Sequence, residues 1–286
     1  MLIQKKTLLS LFLVIFLISL FSGCDKIDEL KVRLGMKNND FEYIKQGKIK
    51  KIVIQSTRDP GFRFIVTDKN AISELYDILS QAKPVQAKSA LEPDYIFEME
   101  EGINKVYKFN YIAGLDKKDA GNLYSDDKIY IVSKRIDNDI IKNFWNVRKP
   151  NDFNEVYYGT LLSQIEQYSQ GDGKGKSIGI NIYDDVEAAK FILSTDLEEF
   201  KSNLSLKVNN AELIEPSKTN GQTKVYDVTM SIRTVGYKTF LYKCEITFWD
   251  NTNKSEKKYY IQVSDNFKDG RWNTKVYTEN DKPSTF

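Results

Sequence analysis

The first two dozen residues constrain this chain more than any other part. Lys5 and Lys6 precede an apolar stretch from Leu8 to Phe21 that is relieved only by small hydroxyls, and Ser22, Gly23 and Cys24 follow it. A basic start, a short apolar run and small residues at its end are the three parts of a secretory leader. The run falls short of the roughly 18 to 20 apolar residues needed to span a bilayer. Export with removal of the leader is therefore expected in preference to a permanent span.

Leu20-Phe21-Ser22-Gly23-Cys24 resembles the lipobox of bacterial lipoproteins, with Phe21 where Leu is usual and Leu20 one place earlier. The resemblance implies cleavage after Gly23, a lipid (diacylglycerol and palmitate-type chains) on the Cys24 thiol, and attachment to the outer face of a cell membrane. Two or more acyl chains anchor stably where one binds reversibly. Lys5 and Lys6 leave with the leader and no acid does, so the 42 basic residues fall to 40, equal to the 40 acidic ones. That balance argues against a nucleic-acid partner, which calls for a basic stripe. With Cys24 lipidated, Cys244 has no disulfide partner. The chain has no histidine, which removes Ser-His-Asp and Cys-His nucleophile systems and His-containing zinc sites. No cofactor and no metal are expected.

The pattern along the chain predicts an α+β protein of two domains, each with helices packed on an antiparallel sheet. Residues 24–47 are polar and read as a tether. A first domain over residues 48–148 opens with a strand at Lys51–Gln55, a turn at Arg58-Asp59-Pro60-Gly61 and a strand carrying Phe62, Phe64 and Val66. Asp68 suits the N-cap of a helix over 69–82, with Ile72, Leu75, Tyr76, Leu79 and Ala82 on its apolar face. Two hairpins follow, 95–100 with 106–111 and 122–124 with 128–132, and then a helix over 136–147. Pro93-Asp94-Tyr95, Tyr124-Ser125-Asp126-Asp127 and Tyr130 give this stretch a resemblance to the YhfM-like domain of Gram-positive lipoproteins. The resemblance implies no activity.

A linker at 148–151 leads to a second domain over 152–286. Asp152 is expected to cap a helix over 153–168, Asp184 or Asp185 a second, and Thr195 with Glu198 forms a capping box for a third reaching Leu204. Four alternating strands follow, with a turn expected at Val235-Gly236. Helices first and then a long meander resemble the NTF2-like (cystatin-like) cone-shaped fold, which often encloses a pocket but hosts many functions.

Several motifs touch on chemistry. Gln170-Gly171-Asp172-Gly173-Lys174-Gly175-Lys176-Ser177 nearly matches a phosphate-binding loop, but the order is helix then strand, the reverse of what the motif needs. A plain surface loop is expected. Asp126-Asp127, Asp184-Asp185 and Glu198-Glu199 read as turns and caps rather than as a carboxylate pair across a cleft. Asp265 to Gly270 has the look of a calcium loop, but Val276 stands where the closing Glu belongs, so a hairpin turn is expected. Cys244, on the apolar face of its strand, reads as a small buried hydrophobe. Tyr157, Tyr158, Tyr259 and Tyr260 come in adjacent pairs, each putting one ring on a second face, and form the candidate contact surface.

The function expected from these readings is a non-catalytic binding or assembly module of a Gram-positive cell envelope, anchored through Cys24 and meeting an envelope protein or a wall component. The alternatives are an envelope hydrolase using Asp and Glu, or a small-molecule receptor with a pocket in the C-terminal domain.

Overall fold

Ile52 and Ile54 on one strand, and Tyr95, Phe97 and Met99 on its neighbour, point to the same side, and that alternation builds the first of two sheets. The computed structural model describes residues 31–32, 34–102, 104–115, 120–141, 150–215, 224–266, 271–284 and 286. The leader, Gly23 and Cys24 lie outside the described residues, as do the second half of the helix expected over 136–147 and most of the 265–270 loop. Among the described residues no helix is long and apolar enough to cross a membrane.

The first sheet has the order β2-β1-β4-β5-β6-β7-β3. Its strands are β1 (Lys51–Ser56), β2 (Arg63–Val66), β3 (Lys83–Pro84), β4 (Tyr95–Glu100), β5 (Val106–Tyr111), β6 (Leu123–Tyr124) and β7 (Ile129–Ile131). All pairings between these strands are antiparallel. Helix α1 (Glu42–Lys45) precedes the sheet, and α2 (Lys69–Leu79) packs its face. Asp68 caps α2 as its sequence position predicts, its carboxylate accepting from Ala71 N at 2.9 Å. Ile72, Leu75, Tyr76, Ile78 and Leu79 are buried. A π-helical segment, Ile136–Ile141, closes the unit with Ile136, Ile140 and Ile141 inside.

The fold begins earlier than the expected boundary at residue 48. Phe41 is 1% exposed and meets Tyr130 at 5.1 Å and Phe109 at 5.6 Å between ring centroids. The Asn38 amide donates to the carbonyls of Leu79 and Ala82, capping the end of α2 from outside. The tether reading was correct about polarity but missed that Phe41 and Ile44, with Tyr43 beside them, pack into the core.

The second sheet has the order β13-β12-β11-β10-β8-β9. Its long meander is β10 (Val228–Lys238), β11 (Leu241–Asp250), β12 (Ser255–Asn266) and β13 (Arg271–Tyr277). Before it come a π-helical turn Asn154–Gly159 running into α3 (Thr160–Gln170), then β8 (Ile178–Asn181), α4 (Val186–Ala189), α5 (Ser194–Lys207) and β9 (Ala211–Leu213). β8 lies parallel to both β10 and β9, a crossover that no local pattern announced. The helices cover the inner face, where Ile178, Ile180, Val228, Met230, Ile246 and Ile261 are fully buried.

Four local expectations turn out differently here; for Asp152 and Asp185 a tertiary partner takes the carboxylate that the sequence assigns to a local cap. Asp152 has φ of 49°, and its carboxylate accepts from Trp272 Nε1 at 3.1 Å instead of capping the helix. Asp185 stands at the N-cap of α4 as expected, but its carboxylate turns inward to the amide and hydroxyl of Thr234. Helix α5 starts at Ser194 with no side-chain cap, Glu198 pairs with Lys201, and the helix runs on to Lys207. Val235-Gly236 is a bulge inside β10 rather than a turn; the chain reverses between Lys238 and Leu241.

Replacing Phe41 with Ala is expected to destabilise the first unit by about 3 to 5 kcal/mol, as for other buried Phe residues. Chemical denaturation checks this, and a loss below about 0.5 kcal/mol would restore the tether reading.

Candidate functional site

Where the two sheets meet, a carboxylate is buried deeply enough to organise both sides. Asp94 precedes β4 and is 1% exposed. Its Oδ1 accepts from Arg58 Nη1 at 2.6 Å and from the Ser194 backbone N at 2.8 Å, and its Oδ2 accepts from Ala113 N at 2.9 Å. Arg58 also donates to Ser194 Oγ at 2.5 Å and to the Ile192 carbonyl at 3.2 Å. The Ser194 hydroxyl in turn donates to the Glu92 carbonyl at 2.8 Å. Arg58, Glu92, Asp94 and Ala113 belong to the first unit, and Ile192 and Ser194 to the second. Burial pushes the Asp94 pKa up, opposed chiefly by the charge of Arg58 and then by the Ser194 and Ala113 amides.

The turn predicted at Arg58-Asp59-Pro60-Gly61 places the guanidinium here. Ser56 Oγ accepts from the backbone N of Arg58 and of Asp59, both at 3.2 Å, and Phe62 N closes on the Asp59 carbonyl. Beside the polar contact, Phe62 meets Phe191 edge-on at 6.4 Å, and Phe191 meets Phe153 at 5.6 Å. A second, half-buried carboxylate backs the same region: Asp137 accepts from Tyr111 Oη at 2.9 Å and from Gly114 N at 2.8 Å. Burial raises its pKa too.

A cleft of about 320 Å³ opens along this seam, with Arg58, Leu91, Glu92, Tyr183, Ser194 and Lys201 among its walls. A broader groove of about 780 Å³ lies next to it at the β9 edge, with Leu204, Leu213 and Tyr226 along it. Lys201 borders both and is held by Glu198 at 2.7 Å and by Glu215.

The tyrosines expected to form a contact surface do not form one. Tyr157 is 0%, Tyr158 6% and Tyr260 6% exposed, and Tyr259 is half-buried against the second core. The π-helical turn directs Tyr157 and Tyr158 inward together, Tyr157 stacking on Phe153 at 4.9 Å. Tyr260 lies under Phe286 at 5.5 Å and Lys282 at 3.9 Å. The near-match to a phosphate loop has its polar groups engaged already. Lys176 Nζ donates to Asp250 Oδ2 at 2.7 Å, and Ser177 N and Oγ donate to Asp227 at 2.8 and 2.7 Å. A Cβ on Gly173 would come within 2.6 Å of the Tyr168 ring and 3.0 Å of its carbonyl, so this loop is closed by packing. Asp126 and Asp127 are exposed in their turn, and of the Asp184-Asp185 pair only Asp185 is buried. Cys244 is 0% exposed, and burial pushes its thiol pKa well up. Among the described residues no group of three His, Cys, Asp or Glu gathers as a metal site would need.

Sequence reasoning used Asp94 only as part of the Pro93-Asp94-Tyr95 resemblance and placed Ser194 in no site at all. A Pro-Asp pair directly before a strand was the only signal, and it says nothing about a partner a hundred residues away. Residues 45–150 match the family model described as YhfM protein. No curated protein and no solved structure matches the chain. The YhfM segment contains the Arg58 and Asp94 side of the seam; the Ser194 side lies beyond it.

Asp94→Asn should leave Arg58 buried without its counter-charge and cost about 3 to 5 kcal/mol. Ser194→Ala should cost about 1 kcal/mol. Calorimetry should show the single unfolding transition splitting in two for Asp94→Asn; one unchanged transition would mean that the seam does not join the units. The Lys176 pair, with the amides of Asn253 and Thr252, holds the Asp250 pKa below its ordinary value of 3.8. A depressed folded pKa contributes stability that is present above the ordinary value and is lost as pH falls through the folded one. Thermal unfolding from pH about 5 to about 2 should therefore show a shallower acid decline in Asp250→Asn than in the natural chain.

Proposed function

We propose that the chain is an extracytoplasmic lipoprotein, anchored by lipid on Cys24, that acts as a non-catalytic binding or assembly module of the cell envelope. The observation that carries this reading is the seam. Arg58, Asp94 and Ser194 join the two units through a buried ion pair and charge-assisted hydrogen bonds, so that a cleft and a groove are held in fixed relation. A module that presents one preformed surface loses little freedom when its partner binds. The second unit is proposed to be NTF2-like: helices precede a meander on a single sheet, and the helices cover one face of it. A small-molecule receptor is the second reading, with the site at the seam in place of a pocket inside the C-terminal domain, because the cleft volume falls near the lower end of the roughly 300 to 1,000 Å³ usual for such sites and it lies between two units.

Cys24→Ala should move the protein from the membrane fraction to the soluble fraction of cells, and mass spectrometry of the natural protein should find the leader gone and Cys24 acylated. Unchanged membrane retention of Cys24→Ala, or an intact leader, overturns the anchor. Capture with the natural chain against a chain carrying Leu91→Arg in the cleft tests the binding reading; identical envelope partners for both would remove the cleft from it.

A further inference from the structure

The outer face of the second sheet, turned away from the helices, carries an open indole. Trp249 on β11 is 39% exposed, and its ring and its N–H have no partner among the described residues. Its cross-strand neighbour on β10 is Thr229, and the next pair on the same face is Ser231 with Thr247. The Ser231 and Thr247 hydroxyls also have no hydrogen-bond partner among the described residues. Threonine is ordinary on a strand. A large ring left open beside three hydroxyls is what recognition surfaces use, one part apolar and the other wet.

The groove of about 780 Å³ at the β9 edge reaches this patch, since Tyr226, Thr229 and Asn251 are among its walls. Thr229 pairs on its other side with Gly179 of β8. A Cβ on Gly179 would stand 2.4 to 2.7 Å from three atoms of the Tyr226 ring, so the missing side chain lets that ring lie on the outer face of β8. Tyr226 Oη donates to Glu212 Oε1 at 2.6 Å, which fixes the ring there. Trp249 and Gly179 are therefore two strands apart along one row, about 9.5 Å. Between them the Thr229 hydroxyl accepts from Asn251 Nδ2 at 3.1 Å and keeps its own proton. The charges around the patch are matched: Lys224 with Glu212, Lys201 with Glu215, Lys258 with Glu256 at 3.3 Å, and Arg233 with Glu245 at 2.6 Å. A charged ligand has to compete with these pairs, and a neutral one does not. Lys224 also stands 5.4 Å from the Tyr226 ring centroid, on a side chain 64% exposed and held there by surface contacts alone.

We propose that this face binds a neutral glycan, with one sugar stacked on the Trp249 indole and the chain running over Thr229 toward the Tyr226 ring. A pyranose ring presents C–H bonds on its faces and hydroxyls around its rim. The C–H face suits the negative face of an aromatic ring. Sugar hydroxyls donate and accept, as do those of Thr229, Ser231 and Thr247. The row is longer than one sugar ring, so the ligand is an oligosaccharide. This names the class of wall component that the envelope reading leaves open, and it rests on that reading for where such a glycan is met. The binding itself needs neither the lipid on Cys24 nor the seam.

The full-length chain, in a detergent without sugar headgroups, is titrated with chitotetraose and followed by NMR of the indole N–H groups, the Trp249 signal being assigned with Trp249→Phe. A saturable shift of that signal is expected, and none with a tetra-alanine peptide blocked at both ends. Trp249→Ala should weaken binding about fivefold or more, as loss of one stacking ring does for nucleobases. Tyr226→Ala should weaken it in the same direction, and Trp249→Phe should keep most of it. Phe240→Ala, at the opposite end of the β10–β11 hairpin, should leave it unchanged. Thermal unfolding of each variant separates loss of the ring from loss of the fold. Absence of saturation, binding that leaves the Trp249 signal unmoved, saturation with the peptide in place of the sugar, or an equal loss in Phe240→Ala overturns the proposal. A chain found without lipid on Cys24 would leave this result standing, and failure here would leave the anchor untouched.

Discussion

The arrangement of this molecule depends on one buried carboxylate. Asp94 takes a guanidinium from the turn after β1, an amide from the loop after β5 and the first amide of α5. These three donors come from segments that local forces alone would leave independent. Taking a charge out of water is expensive, and the expense is offset only when every lone pair finds a well-placed donor. That demand explains why Arg58 is bound on both terminal nitrogens and why Ser194 is used twice, through its amide and its hydroxyl. The units are therefore joined by a geometric requirement as well as by apolar contacts such as Phe62 with Phe191.

The same logic recurs inside the second unit. Asp185 is 1% exposed and accepts from the amide of Thr234 at 2.9 Å and from its hydroxyl at 2.7 Å, and Tyr242 Oη lies 3.0 Å from that hydroxyl. Thr234 adjoins the bulge of β10, so the carboxylate serves the amide there and ties α4 to the sheet. In both units a buried acid fixes the place where helix and sheet meet, and the aromatic residues fill the space around it. The chain of rings from Phe64 through Phe62, Phe191 and Phe153 to Tyr157 and Tyr242 crosses from one unit into the other.

Much of the architecture was legible in the sequence because its signals are local. The alternation in 95–100 and 106–111 gave the hairpin and its register, since a slip by one residue would have exposed Phe97 and Phe109. Asp68 gave the start of α2, and its carboxylate accepts from the Ala71 amide as a local cap does. The tyrosine pairs failed, each for its own reason. Neighbours face opposite ways on a strand but stand only about 100° apart or less on a helical turn, so Tyr157 and Tyr158 both go inside at Asn154–Gly159, while Tyr260 on β12 is covered by Phe286 and Lys282. The YhfM resemblance of the first unit was carried by Pro93-Asp94-Tyr95, and the family match covers that stretch.

By itself, the sequence determined the class of the protein: two α+β units, antiparallel hairpins, a buried unpaired Cys244, and no histidine chemistry. Periodicity, turn residues and composition act over a few residues and need no knowledge of the rest of the chain. Only the tertiary structure decided that β8 runs parallel to β10, that Phe41 belongs to the first core, and that Asp94 meets Ser194 across a hundred residues. Those contacts are set by which buried charge finds which donor once the sheets have formed, and no pattern along the chain encodes that pairing.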